Sequence, residues 1–507
     1  MARSSILYAA LLATGIGTAQ AAASAPAALS RDDALWLDRV TYGLDSATVA
    51  RFRQLGRQRF LDEQLAGKND ALPAAVQAQI DNLDIAHQSA AKLVVDEIAE
   101  QKRINALGDE EMKATARKDR NAMGYKMTYE ATRRELLRAI YSPDQLKEQM
   151  VWFWLNHFNV FAPKGYVKFL VGDYADQTIR PYALGHFRDL VMATLKSPAM
   201  LQYLDNAQNA KGHINENYAR ELMELHTLGV DAGYTQGDVQ ELAKILTGVG
   251  IDPNHADPKV RPALRRYVVR EGLFTFNPER HDFDDHTLLG QKIKGGGFDE
   301  IERAVDLIVK QPACAQFVSR KLATYFVADD PSPQLIDKMA NTFQHTDGDI
   351  AQVLRTLFES SDFTASLGKK FKDPMHYVVS SVRMAYDGKT ITNMHPVVTW
   401  LNNQGEALFG HVTPDGYALT ENAWASSGQM SRRFEVARII GNGNAGLFDA
   451  ADGTKSVETG FPQLSSKLYF DAIQPYLSKS TLAALDKSAS QQEWNAFLLA
   501  SPEFNSR

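Results

Sequence analysis

The sequence predicts a mainly α fold, in which a large multi-helix body carries a small excursion of β-strands near residues 265–295. Apolar residues recur at intervals of three and four along most of the 507-residue chain, which is the spacing of amphipathic helices. Ser, Thr, Asp or Asn precedes many of these segments, and Gly or Pro follows them, as expected at helix ends. Alternating Tyr, Val and Phe residues occur clearly only in a Pro- and Gly-rich segment, which predicts short strands there.

The composition is that of a globular protein with enough chain to bury a core. The chain is 44% hydrophobic and 23% charged, with a formal net charge of −6. The mildly acidic balance and the lack of a Lys/Arg run argue against a nucleic-acid partner. Cys314 is the only cysteine, so an internal disulfide is excluded. Its apolar helical setting predicts a buried structural thiol rather than a nucleophile.

The N-terminal sequence predicts export to the periplasm or the extracellular space. Residues 1–21 resemble a signal peptide, with Arg3, an apolar stretch from Ile6 to Ile16 and an Ala-Gln-Ala cleavage site. Residues 22–30 predict a disordered leader of small residues. No later stretch reaches the ~18 uninterrupted apolar residues of a membrane span. The sequence does not indicate an oligomeric state.

The predicted helices follow one another with short connections. They lie at 34–44, 46–65, 74–111 (two long helices), 110–142, 142–161, 173–195 (a pair), 197–206, 215–229, 235–247, 300–328, 333–342, 349–358, 372–386, 395–401, 431–440, 468–474 and 491–500. We assign 31–440 to one helical domain with an inserted helical arm at about 73–118. Residues 441–507 form a helical tail that we expect to pack on the same body.

The segment NENYARELMELHTLG, from Asn215 to Gly229, predicts one helix with both ends marked. Asn215 can cap its start, and Gly229 can adopt the left-handed conformation that ends a helix. One face is apolar and contains Tyr218, Ala219, Leu222, Met223 and Leu225. The opposite face is polar and contains Glu216, Asn217, Arg220, Glu221 and Glu224.

The polar face of this helix is the first candidate site. Crowded carboxylates beside a guanidinium can have their pKa values driven apart, which acid/base catalysis requires. The candidate catalytic residues are Glu216, Glu221 and Glu224, with Asp205 just upstream and His157 in support. Asn217 and Arg220 would bind substrate. The alternatives are an ordinary solvated face or a structural ion-pair network.

Two further groups of residues suggest other chemistry. His281 and Asp282 begin the segment HDFDDH, whose side chains are of the types that bind metals, although the spacing fits no standard motif; a hydrogen-bonded turn is the alternative. His157 lies in an otherwise apolar helix, either as a satisfied core residue or as part of a polar pocket. Tyr417 and Trp424 occupy an irregular loop, where they could stack on carbohydrate or anchor the loop.

Several motifs in a fixed order resemble the bacterial domain of unknown function 1800 family. They are WLNHF at Trp154, HFRDL at His186, SPAMLQYLDNAQN at Ser197, NENYARELMELHTLG at Asn215, GYTQGDVQELAKILTG at Gly233, RHD at Arg280, IVKQPACAQFVSRKL at Ile308 and TPDGY at Thr413. The resemblance covers nearly the whole mature chain except the arm and the tail after about Gly441. It implies a largely helical exported protein and carries no catalytic mechanism.

The resemblance maps onto particular positions. They are His157, Asp205, Asn215, Glu216, Asn217, Arg220, Glu221, Glu224, Thr247, Gly248, His281 and Asp282. The chain departs from the family pattern at His226, Val249 and His286, where Phe, Trp and Lys are expected. Because His226 falls within the apolar arc, we expect it to be a core residue.

Three functional hypotheses follow. The first is an exported hydrolase or lyase that acts on a polysaccharide or another polymer through the carboxylate-rich helix. The second is a non-catalytic periplasmic binding or assembly protein whose charged face is a structural network. The third is a metal-dependent enzyme that uses His157, His281 and Asp282, with a divalent metal as the candidate cofactor.

Overall fold

The fold is mainly α, as the periodicity predicts, and the computed structural model describes residues 28–253, 258–450, 454, 456 and 461–507. The first helices are α1 (Arg31–Val40), α2 (Ser46–Ala66), α3 (Ala74–Asp81), α4 (Asp84–His87), α5 (Ala90–Ala106), α6 (Glu110–Tyr141) and α7 (Gln145–His157). The middle of the chain forms α8 (Val171–Asp173), α9 (Phe187–Lys196), α10 (Pro198–Tyr203), α11 (Asn217–Glu221) and α12 (Gln236–Ile245).

The C-terminal half adds ten more α-helices. They are α13 (Phe298–Val309), α14 (Pro312–Phe326), α15 (Pro333–His345), α16 (Ile350–Phe358), α17 (Ser361–Ser366), α18 (Pro374–Ala385), α19 (His395–Asn403), α20 (Ser427–Gly441), α21 (Lys479–Asp486) and α22 (Gln491–Ala500). Wider π-helical turns occur at Tyr174–Ile179, Leu222–Thr227 and Tyr469–Ile473. Short 3₁₀ turns occur at Val167–Phe169, Arg180–Tyr182, Asn206–Gln208, Pro262–Tyr267, Glu421–Ala423 and Gln474–Tyr476.

Within the residues that the structure describes, five short strands form two small antiparallel sheets. They are β1 (Val249–Ile251), β2 (Val269–Glu271), β3 (Phe274–Phe276), β4 (His286–Leu288) and β5 (Gln291–Ile293). The first sheet has the order β1-β3-β2, and the second is the hairpin β4-β5, whose turn residues Leu289 and Gly290 have positive φ. Strand β1 lies before the range 265–295 in which strands are predicted. The sequence does not indicate it, because three residues directly after a helix are too few to show an alternating pattern.

Helix α7 is buried on all sides at the centre of the body, as its apolar run predicts. Val151 and Phe153 are nearly inaccessible, and the indole of Trp154 donates a 2.9 Å hydrogen bond to the carbonyl of Ala183. That hydrogen bond satisfies the indole N–H that burial would otherwise leave unpaired. Because α7 is fixed by the core, the polar residues at its C-terminal end are held rigidly.

The arm and the tail differ in how they join the body. In the arm, α5 and the first half of α6 lie side by side, and Arg120 Nε is 2.7 Å from Glu97 Oε1. In the tail, α22 packs on α20, and Asn495 is fully buried with hydrogen bonds to the carbonyls of Gly441 and Pro462. The tail is therefore part of the body's packing.

The N-terminal predictions fall mostly outside the described residues. The predicted signal peptide, 1–21, lies there, and so does most of the predicted leader. The leader prediction is wrong for its last residues, because the Leu29 N–H bonds to the Asp471 carbonyl and Ser30 caps α1. Within the described residues, no helix combines the length and the apolar character that a bilayer span requires. Cys314 is buried, and burial raises the pKa of its thiol.

Candidate active site

The predicted central helix forms, but it changes geometry halfway along. Helix α11 continues directly into the π-turn Leu222–Thr227, where the Leu228 N–H bonds to the carbonyl of Met223, five residues earlier. The Thr227 hydroxyl spans the same interval to the Leu222 carbonyl. Gly229, with φ of +84°, ends the segment as predicted. Single π-turns inside helices are frequent at functional sites.

The start of this helix is held by amides from the preceding loop. Asn215 Oδ1 accepts the Asn217 N–H at 3.0 Å, which is the predicted capping role. The side chain of Asn217 is turned back to the carbonyl of Leu204 at 3.1 Å, and the Asn215 N–H bonds to Asn209. Asn217 therefore positions the backbone, which differs from the predicted role in substrate binding.

Asp205 is brought close to the central helix, as its position upstream predicts. It adopts a left-handed conformation, with φ of 61°, and its carbonyl lies 3.5 Å from Asn215 Nδ2. Its carboxylate forms an ion pair with Lys164, with Nζ and Oδ2 2.7 Å apart. That ion pair already engages the carboxylate for which the sequence analysis predicts a catalytic role.

Two of the three glutamates on the polar face are engaged by one arginine. Arg220 NH2 is 3.1 Å from Glu216 Oε2, and NH1 is 3.1 Å from Glu224 Oε1, both at i,i+4 spacing. Gln236 adds a 2.7 Å hydrogen bond to Glu216. The guanidinium of Arg220 is thus engaged by two glutamates of its own helix. To bind substrate as predicted, Arg220 would have to give up these ion pairs.

Glu221 is the carboxylate on this face that keeps no such partner. Within the described part of the chain it makes no hydrogen bond and no ion pair. Partial burial raises the pKa of Glu221, and repulsion from Glu224 and Asp415 adds to the increase, while Arg220 offsets part of it. A carboxyl group that stays protonated at higher pH is suited to donate a proton.

The loop 411–417 is held against the end of α7 by two asparagines. Asn156 bonds to both backbone groups of Tyr417, at 2.9 and 2.6 Å, and Asn159 Nδ2 donates to the carbonyls of His411 and Thr413. Gly416 has φ of +74°, and a Cβ there would lie 2.1 Å from the Asn156 carbonyl oxygen. The polar residues after Trp154 therefore position a loop.

This loop presents Asp415 near Glu221. Burial tends to raise the pKa of Asp415, but hydrogen bonds from Thr413 (2.6 Å) and His411 (3.3 Å) outweigh it, so the pKa is lowered. Asp415 is 60% exposed and ionised at neutral pH. The pKa values of Glu221 and Asp415 are therefore displaced in opposite directions, which is the pattern of paired catalytic carboxylates.

Lys321 of α14 adds an amine to the same region. Burial lowers the pKa of Lys321 to about 8, and Asp415 opposes that shift. Among the described residues, no hydrogen-bond acceptor or ion-pair partner is found for its ammonium, which lies 5.7 Å from the Phe317 ring centroid. Phe317 in turn packs on Gly229, which brings α14 to the end of the π-turn.

A tyrosine and two histidines border this region. The Tyr234 hydroxyl is buried without a partner among the described residues, and burial and Glu224 raise its pKa to about 12. His157 and His226 are buried, with His157 Nε2 2.9 Å from the His226 carbonyl oxygen. Burial and the charge of Lys321 lower the pKa of His226 to about 3 and that of His157 well below its usual value. Both rings are therefore neutral, and His226 is the core residue predicted.

Tyr417 and Trp424 anchor the loop, which is the alternative to stacking on carbohydrate that the sequence left open. Trp424 is 6% exposed, and its indole donates a 2.9 Å hydrogen bond to the Ala418 carbonyl. The Tyr417 hydroxyl donates to the Ala407 carbonyl at 2.9 Å. The Tyr417 ring packs against Trp152 of α7 and against Trp424, with ring centroids 6.4 and 6.2 Å away.

His281 and Asp282, the candidate metal ligands, have structural partners. His281 Nδ1 lies 2.8 Å from the Thr247 carbonyl oxygen, and the Thr247 hydroxyl accepts the Asp282 N–H at 2.8 Å. Asp282 also forms an ion pair with Lys211. In the described part of the chain, no group of three or more His, Cys, Asp or Glu side chains is arranged to hold a metal ion. His157 bonds to His226 instead.

His286, at the position that departs from the family pattern, joins a buried histidine-glutamate cluster. Its Nδ1 is 2.9 Å from Glu241, and its Nε2 lies 3.7 Å from Glu300. His281 Nε2 approaches the other oxygen of Glu300 at 3.3 Å. This cluster ties α12 to α13 behind the sheets.

The residues that the sequence analysis missed are Asp415, Lys321 and Tyr234. Each lies inside a motif that carries the family resemblance, TPDGY, IVKQPACAQFVSRKL and GYTQGDVQELAKILTG respectively. Those motifs are far apart along the chain, so only their convergence reveals a shared site. A charged or phenolic residue inside each motif is the signal that could have identified them.

The fold and site define a mainly α protein with a partly buried carboxylate-lysine-tyrosine cluster at a π-turn. The chain belongs to the DUF1800 family, described as protein of unknown function, whose model matches residues 35–506. The match runs through the tail, which the motifs alone had not covered. Comparisons with curated proteins and with solved structures gave no significant match.

Proposed function

We propose that this protein is a hydrolase or lyase that cleaves a polysaccharide or another polymer, with Glu221 as proton donor and Asp415 as the partner carboxylate. The observation that carries the proposal is the opposite displacement of the two pKa values. This displacement widens the pH range in which Glu221 holds a proton while Asp415 is ionised.

Both kinds of cleavage need a proton at the leaving oxygen. In hydrolysis, Glu221 gives its proton to the glycosidic oxygen, and Asp415 takes a proton from the water whose oxygen joins the sugar carbon. In β-elimination, the Asp415 carboxylate or the neutral amine of Lys321 removes the proton from the carbon α to the uronic carboxyl group. A C=C bond then forms as the C–O bond to the leaving oxygen breaks, and Glu221 gives that oxygen its proton. The products then distinguish the two reactions.

The surroundings support a substrate with several hydroxyl groups. The Lys321 ammonium, which has no partner among the described residues, is a donor that a sugar hydroxyl can satisfy. Asp415 lies on an exposed loop, so a long chain can reach it without entering a closed cavity. These features favour a polymer over a small metabolite.

The test compares conservative variants on a panel of polysaccharides. We expect Glu221→Gln and Asp415→Asn each to lower kcat by about 10²–10⁴-fold. Glu224→Gln, one turn further along the same helix, is the matched control and should keep most of the activity. Reducing ends report hydrolysis, and the absorbance of an unsaturated sugar reports elimination. If Glu221→Gln retains the wild-type rate on every substrate that is cleaved, the assignment is wrong.

A second candidate function is non-catalytic binding or assembly in the periplasm. The network of Arg220 with Glu216 and Glu224 favours it, because Gln236 of α12 hydrogen-bonds to both Arg220 and Glu216 and so joins these side chains to a second helix. Under this alternative, Glu216→Gln and Glu224→Gln lower Tm, and no variant changes a catalytic rate because no polymer is cleaved. The two candidates are therefore separated by one set of variants.

We also propose that the protein acts outside the cytoplasm, on the basis of its N-terminal sequence. Fractionation of cells that express the full chain should recover a shortened protein in the periplasm or the medium. A variant with Arg3→Glu and a charged residue at Leu11 should stay in the cytoplasm at full length. Recovery of the wild-type chain in the cytoplasm at full length would contradict export.

A further inference from the structure

A cavity lies beside the residues that lead into the loop 411–417. It has a volume of about 380 Å³, which is within the range of small-molecule sites. One wall is a face of α6 with Tyr125 and Tyr129. Another wall is formed by Ala407–Gly410, the residues just before the loop 411–417. The Phe409 carbonyl accepts the Ala162 N–H, which joins the loop to the floor of the cavity.

The aromatic wall offers a surface for a ring. Tyr125 is 76% exposed, although it lies against a body with ample apolar surface to cover it. One turn further along α6, Tyr129 stacks on His395 with ring centroids 4.1 Å apart and an interplanar angle of 7°. His395 thus fixes the Tyr129 ring in place. Two tyrosines at i,i+4 spacing form a platform on which the C–H face of a sugar ring can pack.

The charge in this cavity comes from Lys168. In the described part of the chain its ammonium has no ion-pair or hydrogen-bond partner, and it lies 5.4 Å from the Phe169 ring centroid. Burial lowers its pKa. The stem of Lys168 passes over Gly124, where a Cβ would lie 2.5 Å from Lys168 Cδ. Glycine at 124 therefore makes room for the amine at the edge of the cavity.

Hydroxyl and amide groups complete the lining. Asn121, Thr128 and Asn402 all border the cavity. Asn121 and Asn402 are exposed, and neither side chain has a hydrogen-bond partner within the described residues. Apolar ring surfaces combined with a few polar groups are the usual composition of a ligand site. An unpaired cation in such a setting is complementary to an anionic group on the ligand.

We propose that this cavity binds a uronic-acid residue of an acidic polysaccharide, with Tyr125 and Tyr129 under the ring and Lys168 at the carboxylate. The inference rests on the proposed function for its role, since residues 407–410, which line the cavity, lead directly into the loop 411–417 with Asp415. The cavity is then a subsite that holds the polymer while another part of it meets Glu221. The substrate class is an acidic polysaccharide.

The test measures binding by calorimetry on the Glu221→Gln variant, so that cleavage does not interfere. The probes are oligomers of galacturonate, of guluronate and of glucuronate with N-acetylglucosamine, each compared with a neutral oligomer of the same length. We expect at least one acidic oligomer to bind about tenfold more tightly than its neutral counterpart. Lys168→Met should remove that difference, and Tyr125→Ala, at an exposed position, should weaken binding of both.

Lys102→Met, on the exposed surface of α5, is the matched control and should leave binding unchanged. The inference is overturned if no acidic oligomer binds more tightly than the neutral one, or if Lys168→Met binds as the parent does. Preferential binding without cleavage by the wild-type protein would leave the subsite standing and reject the proposed function. If the protein cleaves an acidic polymer and neither Lys168→Met nor Tyr125→Ala changes the rate, the proposed function stands and the subsite is rejected.

Discussion

At the scale of single residues, the central question is why Glu221 differs from the two glutamates beside it. Arg220 reaches residues four before and four after itself, so Glu216 and Glu224 are paired, and Glu221 is not. The same electrostatics make Glu221 responsive to its neighbours, because Glu224 raises its pKa and Arg220 lowers it. This dependence gives two predictions.

The first prediction concerns the pH dependence of cleavage. The rate should be bell-shaped in pH, falling at low pH as Asp415 becomes protonated and at high pH as Glu221 loses its proton. Glu224→Gln removes a repulsion that raises the Glu221 pKa, so the alkaline limb should move to lower pH. Arg220→Gln should move it to higher pH. Rates measured across pH with saturating substrate check both, and unchanged limbs in both variants would contradict the assignment.

The second prediction concerns stability. A carboxyl group whose pKa is higher folded than unfolded destabilises the fold when it is ionised, and this cost disappears below the unfolded pKa. Glu221→Gln should therefore raise Tm at neutral pH by about 1–2 °C, because a half-exposed group costs less than about 1 kcal/mol. The difference from the wild type should vanish in acid. Glu224→Gln should lower Tm instead, and a Glu221→Gln variant that melts below the wild type would contradict the proposal.

At the scale of elements, the site depends on how the loop 411–417 is attached to α7. Asn156 and Asn159 lie beside His157, for which a polar pocket was one prediction, and their side chains bond to the backbone of this loop. The sequence could indicate that buried amides at the end of an apolar helix need partners. It could not indicate which distant segment supplies them, because 261 residues separate Asn156 from Tyr417.

The third prediction tests this attachment with two glycines of nearly equal φ. Gly416→Ala should displace the loop, because the new Cβ would meet the Asn156 carbonyl oxygen in addition to the strained φ of +74°. Gly388→Ala, with φ of +73° and open space around it, carries the backbone strain alone, about 1 kcal/mol. Gly416→Ala should therefore melt at a lower temperature and lose most cleavage activity, whereas Gly388→Ala keeps its activity. Equal effects in the two variants would show that the contact is unimportant.

At the scale of the whole molecule, the fold class could be predicted because local periodicity determines it. The buried α7 and the limits of the central helix are readable from apolar spacing, Asn215 and Gly229. The π-turn, strand β1 and the burial of Trp424 could not be read, since each depends on contacts with segments distant in sequence. The proximity of Asp415 to Glu221 could not be predicted for the same reason. Both residues stand in recognisable motifs, yet only the folded chain brings their charges within range of each other.

The last prediction contrasts the arm with the tail. Glu97 and Arg120 adjoin across the hairpin, so replacing 99–119 with a short Gly-Ser loop removes the tip with its own buried Ile104 and keeps Ile98, which packs against the core. That variant should fold, with cooperative melting near the wild-type Tm. Deleting 441–507 removes α22 from α20 and leaves the buried Arg433 without Asn505, so the shortened chain should lack a cooperative transition. Circular dichroism melts of both variants decide the matter. We expect no cooperative transition because a buried cation without its partner and an uncovered core together cost more than the net stability of a typical domain. Cooperative melting of the tail deletion would contradict this prediction and show that the body folds alone.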